Sequence, residues 1–258
     1  MDLPRNEFKR AITSGRLQLG LWSSLASYVT VEVLAGAGFD WLLLDTEHAA
    51  NELPMIHTQL LAAKGGTAHP IVRPAWNDAV LLKRLLDVGV QSFLIPYVQT
   101  EQEARQAVAA TRYPPGGFRG FASASRASGF GRIGDYYARC EEEICVLLQV
   151  ETQLALDNLE AIARVEGVDG VFIGPGDLSA SLGYLGQPGH PDVQEVVLKA
   201  IRRIRECGKA PGVLTGDEAL ARRYIEGGCL FTAVGADIAI LARGAEALAA
   251  RFKGADAG

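Results

Sequence analysis

Four short stretches carry side chains suited to chemistry: Asp45-Thr46-Glu47-His48, Arg73-Pro74, Gln149-Val150-Glu151 and Gly174-Pro175-Gly176-Asp177. Glu151 and Asp177 are hard oxygen donors, too few to close a cage around a cation. A divalent ion held by this pair keeps positions for water and a chelating substrate, which suits Mg²⁺ or Mn²⁺, with Co²⁺ able to substitute. Arg73 offers a planar, permanently charged fork for a substrate oxygen or carboxylate. The backbone N–H groups around Gly176 and Asp177, opening a short helix, are placed to receive a substrate carboxylate, and glycine at 176 allows close backbone approach. His48 is the natural proton carrier, its ordinary pKa of ~6.5 lying closest to neutrality. Asp45, three residues earlier, is placed to orient the ring and favour its charged form. A metal, an arginine and an Asp–His base together suit making or cleaving a bond next to a 2-oxo acid through its enolate.

These residues need elements that bring them together. Short apolar runs alternate with helical segments along the whole chain, the pattern of a parallel sheet with crossover helices. The runs predict eight strands: Gln18–Ser23, Trp41–Asp45, Pro70–Arg73, Ser92–Tyr97, Cys145–Glu151, Gly170–Ile173, Pro211–Leu214 and Leu230–Val234. Amphipathic segments such as Asp78–Val88, Thr100–Thr111 and Val193–Cys207 lie between them. Glycines at 36, 38, 89, 167, 208 and 227–228 supply the helix-stop chemistry of αβ loops. Eight β/α units make a closed (β/α)₈ barrel the expected α/β fold, in preference to an open doubly wound sheet. Catalytic groups of such a barrel come from the C-terminal ends of several strands. Asp45, Arg73, Gln149 and Asp177 all fall at such ends. Period-two alternation puts Leu147, Gln149 and Glu151 on one side of the fifth strand, so Gln149 and Glu151 both point into the mouth. Two longer connections, Tyr113–Gly134 and Leu182–Pro191, are expected on that same face, the first as a functional lid. Arg119, Arg126 and Arg132 within it are then placed to meet an anionic acceptor.

The chain has 258 residues, close to the ~250 of one such barrel, and no linker divides it, so residues 1–258 are expected to form a single domain. Hydrophobic residues at 48% allow a sizeable core. The net charge of −5 argues against nucleic acid or an anionic membrane surface as a partner, and no apolar run is long enough to span a bilayer. Four cysteines without a CxxC pair fit a reduced, cytoplasmic protein better than a disulfide scaffold or thiolate metal site. None of the six lysines ends a proposed strand, which disfavours Schiff-base aldol chemistry, since that needs a lysine in the pocket. There is no GxGxxG after a strand, no Walker A motif and no GxSxG elbow, so no organic cofactor is expected. His57, His69 and His190 read as structural or solvent-exposed.

Longer stretches carry a family resemblance. They are Gly20-Leu21-Trp22, Leu34–Trp41, Leu44–His48, Val72-Arg73-Pro74, Tyr113-Pro114-Pro115, Gln149–Thr152, Gly167–Pro175 and Asp177-Leu178-Ser179. In order and spacing, from about Phe8 to Phe252, the chain resembles the HpcH/HpaI family of metal-dependent (class II) pyruvate aldolases. The resemblance implies a TIM barrel of the phosphoenolpyruvate/pyruvate-binding superfamily, with a hexamer whose last helix is exchanged between subunits. It implies that Glu151 and Asp177 ligate the metal, and that Arg73 and Gln149 hold the keto acid while amides at Gly176 and Asp177 take its carboxylate. Asp45 and His48 would act as a dyad, Trp22 and Leu214 would shape the acceptor pocket, and Asp87 of a neighbouring subunit would support the dyad. The implied reaction is reversible cleavage of 4-hydroxy-2-oxo acids to pyruvate, or hydroxypyruvate, and an aldehyde. The alternative is decarboxylation of a 2-oxo acid such as oxaloacetate by the same enolate chemistry. The chain departs from the family pattern at Gly176, where Ala or Asn is common, and at Thr46, where glycine is common. A roomier pocket at Gly176 is expected to admit hydroxypyruvate. The C-terminal Asp237–Phe252 reads either as the barrel's own eighth helix or as the exchanged one.

Overall fold

The apolar runs fold as eight parallel strands in a closed barrel, β1 pairing with both β2 and β8. The computed structural model describes residues 1–253; residues 254–258, which the sequence reading includes in the domain, lie outside the described residues. The strands are β1 (Gln18–Ser23), β2 (Trp41–Asp45), β3 (His69–Arg73), β4 (Ser92–Ile95), β5 (Cys145–Val150), β6 (Gly170–Ile173), β7 (Ala210–Leu214) and β8 (Phe231–Ala236). Helix α1 (Glu7–Thr13) precedes β1. The crossovers are α2 (Tyr28–Ala35), α3 (Leu53–Ala62), α4 (Ala79–Asp87) and α5 (Glu101–Thr111). After α6 (Tyr136–Arg139) come α7 (Gln153–Asp157), α8 (Leu159–Ala163), α9 (Pro175–Ser181), α10 (Pro191–Glu206), α11 (Glu218–Glu226) and α12 (Asp237–Lys253).

Strand alternation divides the core in two, as period-two geometry requires. Leu43, Ile71, Leu94, Leu147 and Phe172 fill the barrel interior, where α1 plugs the amino end with Phe8 and Ile12. Leu42, Leu44, Val72, Leu148, Val150 and Ile173 face outward into the shell between strands and helices. The interior residues share parity with Asp45, Arg73, Gln149 and Glu151. One alternation therefore both packs the barrel and aims its polar ends inward.

β4 stops two residues before the predicted end at Tyr97. Pro96 has no N–H to give a ladder, and Tyr97 turns into the left-handed region at φ +56°.

The connection at 113–134 lies elsewhere than the sequence reading placed it. It follows α5, not a strand, and leads into β5, so it covers the amino-end face, opposite the strand ends that carry Asp45 and Glu151. Its arginines are spent there. Arg119 is buried, with Nη2 on Asp87 Oδ1 (3.3 Å) and Tyr136 Oη (3.2 Å). Arg126 Nη1 donates to the Val88 carbonyl, and Arg132 Nη1 to that of Gly129. The lid expectation fails because helix α5 intervenes and reverses the chain. The connection at 182–191 follows α9 and precedes α10, on the strand-end side.

Candidate active site

Adjacent strands bring the first pair together. Asp45 and Arg73 are register partners at the ends of β2 and β3. Arg73 Nε donates to Asp45 Oδ1 at 2.8 Å and Nη2 to Oδ2 at 2.7 Å, while Nη1 lies 2.7 Å from Glu47 Oε2. The guanidinium sits 5.0 Å from the Trp22 ring centroid, and Trp22 Nε1 donates to Asp45 Oδ2 at 3.3 Å. Burial opposes ionisation of Asp45, but the hydrogen bonds and charge of Arg73 outweigh it, and its carboxyl is held below the ordinary range.

The second group stands on β5 and β6. Glu151 and Gln149 are buried, and Gln149 Nε2 donates to Glu151 Oε2 at 2.5 Å. The backbone N–H of Tyr97 donates to the other oxygen, Oε1, at 2.9 Å. Burial pushes Glu151 up to about 7; these two donors pull the other way, and the charges of Glu47 and Asp177 add to the rise. Glu47 is likewise raised by burial, against the pull of Arg73, with Asp45 and Asp177 adding repulsion. Asp177 is exposed in the first turn of α9, beside Gly176. A Cβ on Gly176 would meet no atom within 4 Å.

The donor set fits a divalent cation. The charge of Asp177 raises the proton affinity of both Glu47 and Glu151, and that of Glu47 adds to the rise at Glu151, while the carbonyl oxygen Oε1 of Gln149 is buried without a partner. A cation relieves both conditions. Among the described residues no group of three or more His, Cys, Asp or Glu side chains is arranged to hold a metal.

Other predicted residues are placed less closely. The His48 side chain is 66% exposed at the rim, its Nε2 3.9 Å from Glu47 Oε2. Its contact with Asp45 runs through the backbone, His48 N to Oδ1 at 3.5 Å. Trp22 is buried with its ring 5.7 Å from that of Phe172, and Leu214 ends β7 against the same interior cluster. Asp87 ends α4 at the opposite face, paired with Arg119, and within one chain it does not join the site. The Tyr97 N–H is a site group that sequence reasoning missed. No residue type marks a main-chain donor, and only the Pro96 that ends the strand hinted at it.

Carboxylates, a fixed arginine and a rim histidine stand at the strand ends of a closed (β/α)₈ barrel, and comparison with known proteins gives the class of enzyme. The profile described as HpcH/HpaI aldolase/citrate lyase matches residues 18–243, and the chain belongs to that family. It is 57% identical over 249 residues to a 4-hydroxy-2-oxo-heptane-1,7-dioate aldolase of Salmonella dublin, covering 96% of this chain and 95% of that protein. Among solved structures, a HpcH/HpaI aldolase/citrate lyase family protein from Burkholderia cenocepacia J2315 superposes with a TM-score of 0.93 at 37% identity, covering 96% of this chain and 99% of that one. The HpcH/HpaI aldolase from Desulfitobacterium hafniense DCB-2 gives 0.87 at 30% identity, covering 95% and 96%. The protein is accordingly an enzyme of the carbon–carbon lyase class, an aldolase.

Proposed function

We propose that the chain is a divalent-metal-dependent aldolase that reversibly cleaves 4-hydroxy-2-oxo acids to pyruvate, or hydroxypyruvate, and an aldehyde. The observation that carries this reading is the buried pair at the end of β5, Glu151 beside the unpartnered Oε1 of Gln149, with Asp177 and Glu47 near enough for their charges to act on Glu151. Such a concentration of oxygen donors calls for a cation, and the relative from Salmonella dublin bears the corresponding aldolase name. Glu151 and Asp177 would hold Mg²⁺, Mn²⁺ or Co²⁺, and the ion would supply positive charge for the keto-acid oxygen where charge develops on cleavage.

The chain's own groups do the rest. Asp45 occupies two of the five N–H donors of Arg73, and Glu47 Oε2 lies at ion-pair distance from Nη1 without a hydrogen bond, so both N–H groups of Nη1 and one of Nη2 remain for a substrate oxygen. Gln149 lines the same wall. Gly176 and Asp177 stand in the first turn of α9, where N–H groups have no intrahelical acceptor and suit a carboxylate. His48 at the rim would take the proton of the C4 hydroxyl as the C3–C4 bond breaks, and return one in synthesis. Asp45 is the proposed partner of this histidine. Trp22 and Leu214 would bound the aldehyde.

The exposed apolar side chains of α12 support a homo-oligomer, hexameric by family likeness, in which Asp87 would reach a neighbour's site. The reading is tested by pyruvate release from 4-hydroxy-2-oxoheptanedioate after EDTA and then after Mg²⁺, Mn²⁺ or Co²⁺, for wild type, Glu151→Ala and His48→Ala. Metal-restored activity absent from both variants is expected; EDTA-resistant turnover would overturn the metal dependence. Faster carbon dioxide release from oxaloacetate than aldol cleavage would make decarboxylation the main activity.

A further inference from the structure

Tyr97 is one of three non-glycine residues with positive φ among the described residues. Side chains other than glycine keep that conformation only where their surroundings over-determine it. Here the surroundings are specific. The Tyr97 N–H donates to Glu151 Oε1 at 2.9 Å, and the next N–H, of buried Val98, donates to the Gln149 carbonyl at 3.1 Å. The Tyr97 ring stacks on Trp76, centroids 5.4 Å apart and planes 30° from parallel. Trp76 belongs to the loop after β3, which is tied down by Asp78 N–H on the Trp76 carbonyl (2.9 Å) and Asn77 Nδ2 on the Glu103 carbonyl (3.3 Å). Glu151 is closed in on its other side as well: a Cβ on Gly174 would lie 2.5 Å from Oε2.

We infer that Tyr97 is a positioning residue for Glu151, and that the Trp76 stack holds its backbone in the left-handed turn that aims the N–H. The inference rests on the metal-dependent aldolase reading above. Each Glu151 oxygen then carries one protein donor, Tyr97 N–H or Gln149 Nε2, and keeps a second lone pair that would be available to a cation. If residue 97 relaxed to an extended conformation, the N–H would swing off Oε1 and the carboxylate would be free to rotate. Groups that orient a ligand in this way are typically worth about 10–100-fold in metal affinity. The ring acts through the backbone and needs no contact with substrate.

Mn²⁺ binding measured by titration calorimetry, with circular dichroism to show folding, tests this on Tyr97→Phe, Tyr97→Gly, Tyr97→Ala and Trp76→Ala. Tyr97→Phe keeps the stack and should bind as wild type does. Tyr97→Ala keeps the backbone penalty without the stack and should lose roughly 10-fold or more. Tyr97→Gly adopts positive φ without penalty and should bind more tightly than Tyr97→Ala, an order that mere loss of ring packing would not give. The exposed Trp76→Ala should weaken binding in the same direction without disturbing the fold. Equal affinities for the Gly and Ala variants, or an Ala variant that binds as wild type, would overturn the inference. Wild type that binds no Mn²⁺ would overturn this inference and the aldolase's metal dependence together, whereas wild-type binding with an unaffected Ala variant removes only the role of Tyr97.

Discussion

Arg73 and Asp45 face each other across neighbouring strands and join at two points, Nε to Oδ1 at 2.8 Å and Nη2 to Oδ2 at 2.7 Å. Both are buried, so the contact is a fixed plane and not a mobile surface pair. Lysine keeps the charge but has no fork, and cannot serve both oxygens and Glu47 in that plane. Arg73→Lys is expected to lower kcat/KM for pyruvate release by about 100-fold, the scale of a misplaced binding group. It should also cost about 1–3 kcal/mol of stability from the poorly paired Asp45, read as a lower urea midpoint. Wild-type turnover in the lysine variant would remove the fork from the mechanism.

Stability should fall in mild acid through His69 at the base of β3. Its ring stacks on Phe8 at 5.8 Å and its Nε2 lies 2.8 Å from Ser92 Oγ, and burial pushes its pKa down to about 4 from the ordinary 6.5. The unfolded chain therefore takes up a proton below pH 6.5 that the folded chain refuses until about pH 4. The stabilisation is complete above 6.5 and is lost as pH falls through that window. About 2 kcal/mol is expected, discounted for the part of the ring that water reaches. The difference in urea midpoint between pH 7 and pH 5 should shrink in His69→Gln; an unchanged difference would assign the acid sensitivity to other groups.

Most of the barrel was legible because its physics is periodic. Alternation in Leu42-Leu43-Leu44-Asp45 and Leu147-Leu148-Gln149-Val150-Glu151 decides at once which side chains pack inside, which pack outside and which polar ends share the mouth. The candidate site residues are read from the ends of those same strands and the turns that follow them. What the sequence hid is what periodicity does not encode. Tyr97 contributes through its main chain, and Glu47 stands nearer the His48 ring than Asp45's backbone contact would suggest. The arginine-rich connection at 113–134 misled because its composition suits a loop on either face. The helix before it decides which, and Thr100–Thr111 already reads as helical, so the sequence held the information that places this connection.

Gly176 should govern the choice of donor. It lies in the first turn of α9, and an added methyl group meets nothing within 4 Å. Gly176→Ala should therefore fold without loss, a gain of a few tenths of a kcal/mol being the scale for glycine replaced near a helix end. The methyl group would narrow the space in which the donor is proposed to lie, and hydroxypyruvate, larger than pyruvate by the hydroxyl on C3, should lose rate relative to pyruvate. Parallel aldol assays with one aldehyde and each donor measure the ratio, and an unchanged ratio would sink the role of Gly176 in selectivity.

Helix α12 should be an interface. It has 17 residues, of which Asp237 is the buried one, its carboxylate capping the β1–α2 turn through Ser23 Oγ, Ser24 N and Leu25 N. Beyond that anchor Ile238, Ile240, Leu241, Leu248 and Phe252 are each at least half exposed. Apolar side chains gathered on one helix mark an association surface when no part of the same chain covers them. Light scattering should give a mass several times the 27.5 kDa of one chain. Ile240→Glu with Leu241→Glu should reduce that mass without changing the circular dichroism, since both residues lie outside the barrel core. If activity falls with the mass, the site needs its neighbour, and the proposal that Asp87 acts across subunits gains its first direct support. A single-chain mass for the wild type would leave Asp87 with its Arg119 pairing alone and exclude the exchanged helix.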